Sequence, residues 1–264
     1  MSINKGSLGI AQDDKQVLPV VTLTCDFGDN FAAAQMELVA YGIAPKNRFI
    51  LVSNEVHEYS IVEGAFIMEK SCVFAPKGSV HIGVVDPGVG SERRGIVIKS
   101  KNYWFVGPDN GLLYPAAKSD GIEKVYEINS EKLGNVTNTF HGRDVFAKVA
   151  ALIVSGADVI ESKIITESKS DIVALNFQNN QVVHIDPYGN VKVNKKVINE
   201  KTIKLKKKNN YFQVPVVKTF ADVDLGELLV YSGSHGTLEI AVNQGSASNH
   251  LDIRLGEVLE MEYK

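Results

Sequence analysis

The chain has 264 residues, of which 44% are hydrophobic and 22% charged, as is typical of a globular protein with a sizeable core. Its formal net charge of -3 gives no electrostatic reason to expect a nucleic acid or an anionic membrane as a partner, so a small ligand is favoured. The two cysteines indicate neither a disulfide framework nor a Cys/His metal cluster.

The first 17 residues are polar and lack the apolar core of a signal peptide. No apolar run in the sequence approaches the roughly 20 residues that span a bilayer. We therefore expect a flexible leader over residues 1–17 and a cytoplasmic location.

Residues 18–156 alternate between short β-branched runs and helical stretches, which predicts an α/β domain with a mostly parallel central sheet. In this part the apolar spacing predicts three helices, and Pro45 ends the first of them. The predicted strands cover residues 20–24, 49–52, 80–85, 95–99 and 103–106, and the predicted helices cover residues 32–43, 62–74 and 145–154.

The composition changes near residue 170, after which Gly, Asn and Lys separate many short β-like runs. We predict an N-terminal α/β domain over residues 18–168 and a C-terminal small β-barrel or sandwich over residues 172–264. The basic run over residues 204–208 is interpreted as a solvated hairpin and not as a nucleic-acid site. The predicted C-terminal strands cover residues 181–185, 191–193, 202–205, 211–217, 228–231, 237–242 and 258–263.

The segment over residues 80–94 is an apolar strand that runs into a Gly-rich loop ending in basic residues. Ligands of open α/β sheets lie beyond the carboxyl ends of strands, where Asp86 is expected. Gly88 and Gly90 allow a sharp turn that returns Arg93 to Asp86. This pair is either catalytic or merely structural, and the spacing alone does not decide. The Walker spacing is absent, which argues against a nucleotide-phosphate site.

Two further polar residues occupy similar positions in the sequence. Asp26 follows the first strand and is interpreted either as a ligand of ribose hydroxyls or as a helix cap. His141 directly precedes a predicted helix, where a lone histidine is more often structural than catalytic.

Six segments, taken together and in order, resemble the S-adenosylmethionine hydroxide adenosyltransferase family, which is related to fluorinase and chlorinase. The segments are CDFG (25–28), VDPGVGSERR (85–94), FVGPDNGL (105–112), FHGRD (140–144), DPYGN (186–190) and SHGTLEIA (234–241). The resemblance implies hydrolysis of S-adenosylmethionine to adenosine and methionine without a metal or cofactor. It also implies a homotrimer whose sites lie between one subunit's N-terminal domain and its neighbour's C-terminal domain.

By this resemblance, Asp86, Arg93 and His141 hold the hydrolytic water. The halogenases have different residues at these positions, so the set favours water over halide as the nucleophile. The sulfonium leaves as a neutral thioether and needs no proton, so the enzyme has to align and desolvate a nucleophile at the ribose C5'. Arg93 would favour hydroxide, Asp86 would orient the water, and His141 would accept or relay a proton.

The resemblance also implies a set of substrate-binding residues. Asp26 would bind the ribose hydroxyls, and Tyr59 would form a wall beside the ribose. For the aromatic residues the alternative is ordinary core packing. The remaining implied residues are Tyr188 and Phe220 for adenine stacking, Asp186, Asn190 and Ser234 for the methionine moiety, the backbone at Val242 and Asn243 for the adenine edge, and Asn110, Phe140, His235 and Glu239 as further substrate contacts.

Two features depart from the family pattern. The loop over residues 53–58 has an unusual Asn54, and His235 stands where the halogenases often carry arginine. A neutral imidazole binds a carboxylate less firmly than a guanidinium, so we expect weaker substrate affinity. Two alternatives stay open beside the hydrolase, namely a halide-using adenosyl transferase and a non-enzymatic adenosine or S-adenosylmethionine binding protein.

Overall fold

Seven strands form one sheet in the N-terminal part, in the spatial order β2-β1-β3-β5-β4-β6-β7. Strands β2, β1, β3 and β5 pair in parallel, and only β4 and β7 run against the direction of the others. The predicted mostly parallel sheet is therefore confirmed. Its strands are β1 Val21–Cys25, β2 Phe49–Ser53, β3 Val80–Val84, β4 Gly95–Ser100, β5 Trp104–Pro108, β6 Ile122–Ile128 and β7 Ile165–Glu167.

This computed structural model describes residues 17–196 and 200–263. The predicted leader lies outside the described residues except for Val17. The predicted domain boundaries, 18–168 and 172–264, stay a prediction.

Helices cover both faces of this sheet, which is why β1 and β3 are buried along their whole length, including the polar residues Thr22, Thr24 and His81. Two helices pack together on one face and two on the other, each pair above its own apolar cluster. The first pair is α1 Ala32–Ile43 with α4 Lys148–Val154, and the second is α2 Ile61–Cys72 with α3 Tyr114–Asp120.

Among the N-terminal strands and α-helices, α3, β6 and β7 were not predicted, and one helix differs from its prediction. Helix α3 has only seven residues, too few to show a helical period, and the aliphatic residues of β6 lie three apart instead of alternating. The three-residue strand β7 is too short for a pattern. The helix predicted over residues 145–154 begins as a π-helical stretch, Gly142–Ala147, before α4 continues it.

The C-terminal part consists of two antiparallel sheets around a second apolar cluster. Isolated bridges join Gln181 to Val258 and Val216 to Val230, but the described strands do not close into a barrel. The prediction that the C-terminal part consists of β-strands is confirmed, and the strand pairings among the described residues form two sheets. They are β11 Asn210–Pro215, β10 Thr202–Lys207 and β14 Glu260–Tyr263, and β12 Leu228–Ser232, β13 Leu238–Val242, β9 Val191–Val193 and β8 Val182–Ile185, with a short helix α5 Ala247–Leu251 beside them.

The four lysines of the basic run each pair with a carboxylate, so the run presents little unbalanced positive charge. The pairs are Lys204 with Glu262, Lys206 with Glu260, Lys207 with Glu257 and Lys208 with Asp252. Separately, no helix within residues 17–196 and 200–263 has both the length and the apolar character needed to cross a membrane.

Strands β3 and β5 approach so closely that Gly107 tolerates no side chain. A Cβ at this position would lie 2.4 Å from the Gly83 carbonyl oxygen. We expect Gly107→Ala to lower the free energy of unfolding by at least about 2 kcal/mol, because backbone atoms cannot yield as a side chain does. Urea denaturation followed by the fluorescence of Trp104, the single tryptophan, measures this effect.

Gly42→Ala is the matched control for this substitution. Gly42 is exposed in α1 and has no atom within 4 Å of the added Cβ, so alanine should raise the stability by up to about 1 kcal/mol. Equal urea midpoints for Gly107→Ala and the wild type would contradict the close approach.

Candidate active site

The first candidate site lies beyond the carboxyl end of β1, where the order of the strands in the sheet changes direction. The strand that follows α1 pairs on one side of β1, and the strand that follows α2 pairs on the other. Ligands of open α/β sheets bind at such a switch point, beyond the carboxyl ends of the strands. A cleft of about 120 Å³ opens there, lined by Asp26, Phe27, Tyr59, Val84, Asp86, Val89, Thr139, Phe140, His141 and Gly142.

Asp86, Arg93 and His141 form one continuous chain of contacts at this cleft. Arg93 Nε donates to Asp86 Oδ1 at 3.1 Å, and Arg93 Nη2 donates to Asp86 Oδ2 at 2.5 Å. Arg93 Nη2 also lies 3.3 Å from His141 Nδ1. Asp86 and His141 line the cleft, whereas Arg93 lies behind them with only 9% of its side chain exposed. The structure therefore brings the three residues together, and their catalytic role stays a prediction.

The loop between Asp86 and Arg93 is held by short-range contacts. Gly90 has φ +79°, and a Cβ there would lie 2.9 Å from the Asn138 carbonyl oxygen. Ser91 Oγ donates to the Gly88 carbonyl at 2.7 Å. The expected sharp turn is present, but Gly90 alone of the two glycines uses a positive φ.

The imidazole of His141 is held in one neutral form by its neighbour. A guanidinium has donors only, so Nδ1 of His141 accepts from Arg93 and the ring proton lies on Nε2. Burial lowers the pKa of His141 below its usual range, and the positive charge of Arg93 lowers it further. His141 is therefore neutral at physiological pH.

Asp26 and Tyr59 meet across the cleft. The backbone N–H of Tyr59, a residue with φ +61°, donates to Asp26 Oδ2 at 3.0 Å. Burial raises the pKa of Asp26, and the nearby charges of Asp86 and Glu58 also raise it. Asp26 does not cap α1, since Asn30 Oδ1 accepts the Ala32 N–H at the start of that helix.

Of two other predicted residues in the N-terminal part, Phe140 lines the cleft and Asn110 does not. Phe140 lines the cleft, packs edge-on against Phe27 at 5.7 Å between ring centroids, and lies under the Arg143 guanidinium. Asn110 is absent from the lining. Its amide instead donates to the Val85 carbonyl at 2.8 Å, and so it supports the strand end that carries Asp86.

A second cleft, of about 590 Å³, lies in the C-terminal part. Its lining is Tyr188, Asn190, Phe220, Val242, Gln244 and Gly245. Asp186 shapes one wall of it, because its carboxylate accepts from the Tyr188 and Asn190 backbone N–H groups and from the Asn190 side chain. Tyr188 is 79% exposed, so its ring is free to stack on a ligand.

Two of the predicted C-terminal site residues, Glu239 and Asn243, form hydrogen bonds to other groups of the same chain. Glu239 is 3% exposed and accepts from Lys192 Nζ at 2.7 Å and from the Tyr231 hydroxyl at 2.6 Å. Asn243 uses its backbone N–H and carbonyl within the fold, on Glu227 and Gly226. The Asn243 N–H is therefore engaged, whereas its carbonyl oxygen keeps a second lone pair for the implied adenine-edge contact.

Ser234 and His235 lie exposed on the loop between β12 and β13, with Ser234 Oγ 3.3 Å from His235 Nδ1. Burial lowers the pKa of His235, and the charges of Lys192 and Lys70 lower it further. This histidine is neutral near pH 7. It therefore lacks the charge that arginine would bring to a carboxylate.

The two clefts share no lining residue. Within the described part of one chain, the predicted N-terminal and C-terminal site residues therefore lie at two separate clefts. No group of three or more His, Cys, Asp or Glu in the described ranges is arranged to hold a metal ion.

Comparison with known proteins identifies the family of this chain. The family model of the S-adenosylmethionine hydroxide adenosyltransferase N-terminal domain matches residues 21–163, and that of the C-terminal domain matches residues 180–260. The chain belongs to this family. The family predicted from the motifs is therefore confirmed.

Three similar proteins illustrate the range of the adenosyltransferase family. A Methanocaldococcus jannaschii protein named (R)-S-adenosyl-L-methionine hydrolase is 32% identical, over 97% of this chain and 100% of that protein. A fluorinase from Actinoplanes sp. is 22% identical, over 90% of this chain and 95% of its own. The crystal structure of an uncharacterized conserved protein from Thermotoga maritima has a TM-score of 0.84 and 31% identity, covering 92% of this chain and 100% of that chain.

Several lining residues were not predicted from the sequence. Phe27 and Thr139 directly adjoin the predicted residues Asp26 and Phe140, so adjacency was their available signal. Gln244 lines the second cleft in place of Asn243 and has φ +56°. Such backbone geometry leaves no mark in a sequence.

Proposed function

We propose that this adenosyltransferase-family chain hydrolyses S-adenosylmethionine to adenosine and methionine by attack of water on the ribose C5'. The observation that carries the proposal is the contact chain Asp86–Arg93–His141 at the carboxyl end of β3. The similarity to a protein named a hydrolase supports it, and that name specifies the (R) sulfonium epimer. We therefore include this epimer among the substrates.

In the proposed mechanism, the neutral imidazole presents its Nε2–H and Asp86 presents a carboxylate to one water molecule. The water oxygen forms a bond to C5' while the C5'–S bond breaks, and the electron pair leaves with methionine as a neutral thioether. The proton released by the water passes to Asp86, which Arg93 holds in place. Rate acceleration then comes from alignment and from exclusion of other water.

The substrate is proposed to bridge the two clefts. The 120 Å³ cleft is smaller than the roughly 300 Å³ at which ligand pockets begin, so it holds only part of the molecule. We assign the ribose to Asp26, Tyr59 and Phe140. We assign the adenine to Tyr188 and Phe220, and the methionine moiety to Asp186, Asn190, Ser234 and His235.

Both clefts are open and carry exposed aromatic side chains, Tyr59 and Tyr188. We propose that they face each other across subunits of a homotrimer, so that each site takes its N-terminal half from one chain and its C-terminal half from a neighbour. Exposed aromatic residues are typical of surfaces that a partner covers.

We expect equimolar adenosine and methionine when the purified protein is incubated with each sulfonium epimer in halide-free buffer. Asp86→Asn should lower kcat about 100-fold or more, because the water loses its proton acceptor. Chromatography with mass spectrometry quantifies both products. Asp252→Asn, an exposed position with φ +51° that suits asparagine, is the control and should keep the wild-type rate.

Two other outcomes would support the alternatives to a hydrolase. Formation of 5'-halo-5'-deoxyadenosine with added chloride or fluoride would identify a halide-using transferase. Calorimetric binding of adenosine without any turnover of either epimer would identify a binding protein. A wild-type rate in Asp86→Asn would exclude the proposed role of the carboxylate.

The activity should persist to lower pH than an ordinary histidine would allow. His141 must stay neutral to accept from Arg93, and its pKa lies below its usual value of about 6.5, so kcat/KM should fall only as the pH drops below that value. In His141→Asn the amide oxygen replaces Nδ1 and does not titrate.

A pH profile of both proteins separates His141 from Asp26, whose raised pKa contributes its own acid limb. We expect the acid limb to move in His141→Asn. A limb centred at 6.5 or above and unchanged by this substitution would contradict the neutral-imidazole mechanism.

Sites shared between subunits should show complementation. Asp86→Asn and Tyr188→Ala damage different halves, so a mixed trimer contains some sites with both halves intact. Random co-assembly of equal amounts should restore up to about a quarter of the wild-type activity. Activity no greater than that of the separate variants, in trimers verified as mixed by mass, would contradict the shared site.

A further inference from the structure

Glu63, in the first turn of α2, is a buried carboxylate that the proposed mechanism does not use. Its side chain is 0% exposed. Glu63 Oε2 accepts from the backbone N–H and from Nδ1 of His57, both at 2.8 Å, and Oε1 accepts from Nδ1 of His184 at 2.6 Å. Burial raises the pKa of Glu63, but the hydrogen bonds from His184 and His57 bring it below its ordinary value.

The Glu63 carboxylate does not bind the Ser60 backbone N–H, which its position in the first turn of α2 would favour. Ser60 and Glu63 have the spacing of a capping box, and Ser60 Oγ accepts from the Glu63 N–H. In that motif the glutamate bonds the backbone N–H of the capping residue. Here the Ser60 N–H donates to the His57 carbonyl instead. The Glu63 carboxylate is thereby available to the two histidines.

On the ribose side, His57 begins the turn that carries Tyr59. Tyr59 has a left-handed backbone conformation, which is uncommon for an aromatic residue and must be held by its surroundings. In this conformation its N–H donates to Asp26. By fixing both the backbone and the ring of His57, Glu63 anchors the start of that turn.

On the adenine side, His184 lies in β8, two residues before Asp186. Its ring stacks on Phe66 with a centroid distance of 6.3 Å and an interplanar angle of 24°. Glu63 and Phe66 are three residues apart on α2, so they lie on the same face of the helix. One helix face therefore holds the strand end from which Asp186 directs the Tyr188 turn.

We propose that Glu63 is a positioning residue that orders two turns of its own chain, the Tyr59 turn through His57 and the Asp186 turn through His184, each serving a different site of the proposed trimer. This inference rests on the proposed function, because these turns carry the assigned ribose and adenine contacts. Asp86, Arg93 and His141 are not among its partners. Loss of the Glu63 carboxylate should therefore weaken substrate binding and leave the chemical step nearly intact.

The test compares KM and kcat for Glu63→Gln with those of the wild type. The glutamine amide places N–H donors against an imidazole N–H, so we expect KM to rise about tenfold or more while kcat changes less than about threefold. Glu69→Gln on the same helix, where Glu69 contacts Lys70 and Ser119, is the matched control and should change neither constant.

A second pair of variants keeps the test valid if Glu63→Gln does not fold. Asparagine places its amide nitrogen where His184 has Nδ1, so His184→Asn should retain the bond to Glu63 and a near wild-type KM. His184→Leu removes the donor and should raise KM. Equal KM values for the two His184 variants would overturn the proposal, as would equal losses in kcat and KM in Glu63→Gln.

Backbone hydrogen exchange tests the proposed role of Glu63 without depending on turnover. Exchange at the Tyr59 and Asn190 amides should be faster in Glu63→Gln than in the wild type, while Glu69→Gln leaves both unchanged. Acceleration at one amide only, or at neither, would refute a connecting role. If the wild type fails to hydrolyse S-adenosylmethionine, the proposed function fails, and the exchange rates still decide the role of Glu63.

Discussion

The candidate active site depends on how Arg93 is held at the end of β3. Its guanidinium binds both oxygens of Asp86, the Arg94 carbonyl and His141 Nδ1, and it lies 5.5 Å from the Phe146 ring centroid. A buried ion pair loses hydration, and only several well-directed bonds offset that loss. The tight turn at Gly90 is therefore a condition of the site, because it returns Arg93 to Asp86 after only seven residues.

This ion pair also sets the charge of the first cleft. Arg93 neutralises Asp86, and His141 is neutral because burial and the guanidinium lower its pKa. Asp26 is then the one carboxylate among these four groups that is not paired with a cation, although burial raises its pKa. An anion entering the cleft would meet this negative charge, whereas a sulfonium cation would be attracted. The electrostatics thus favour a cationic substrate and a neutral nucleophile over a halide.

Some features of the molecule could be predicted from the sequence because their causes are local. The buried runs of β1 and β3 mark strands covered on both faces, and Pro45 marks the end of α1. The contact of Asp86 with Arg93 was foreseeable from the loop between them. The contact of Glu63 with His184 was not, since it joins residues 121 positions apart and depends on how α2 packs on β8. The missing closure of a barrel likewise depends on long-range strand pairing.

If the site is shared between subunits as proposed, the placement of α2 orders a turn at each of the two open clefts of its chain. Each proposed half-site includes a short turn, at Tyr59 or at Asp186. Tyr59 and Asp186 each lie two residues after a histidine that the same buried carboxylate holds. On the proposed role of Glu63, order at both turns comes from α2, the helix that carries this carboxylate. A carboxylate in this position must stay paired on both sides, because an unpaired buried charge would destabilise the fold itself.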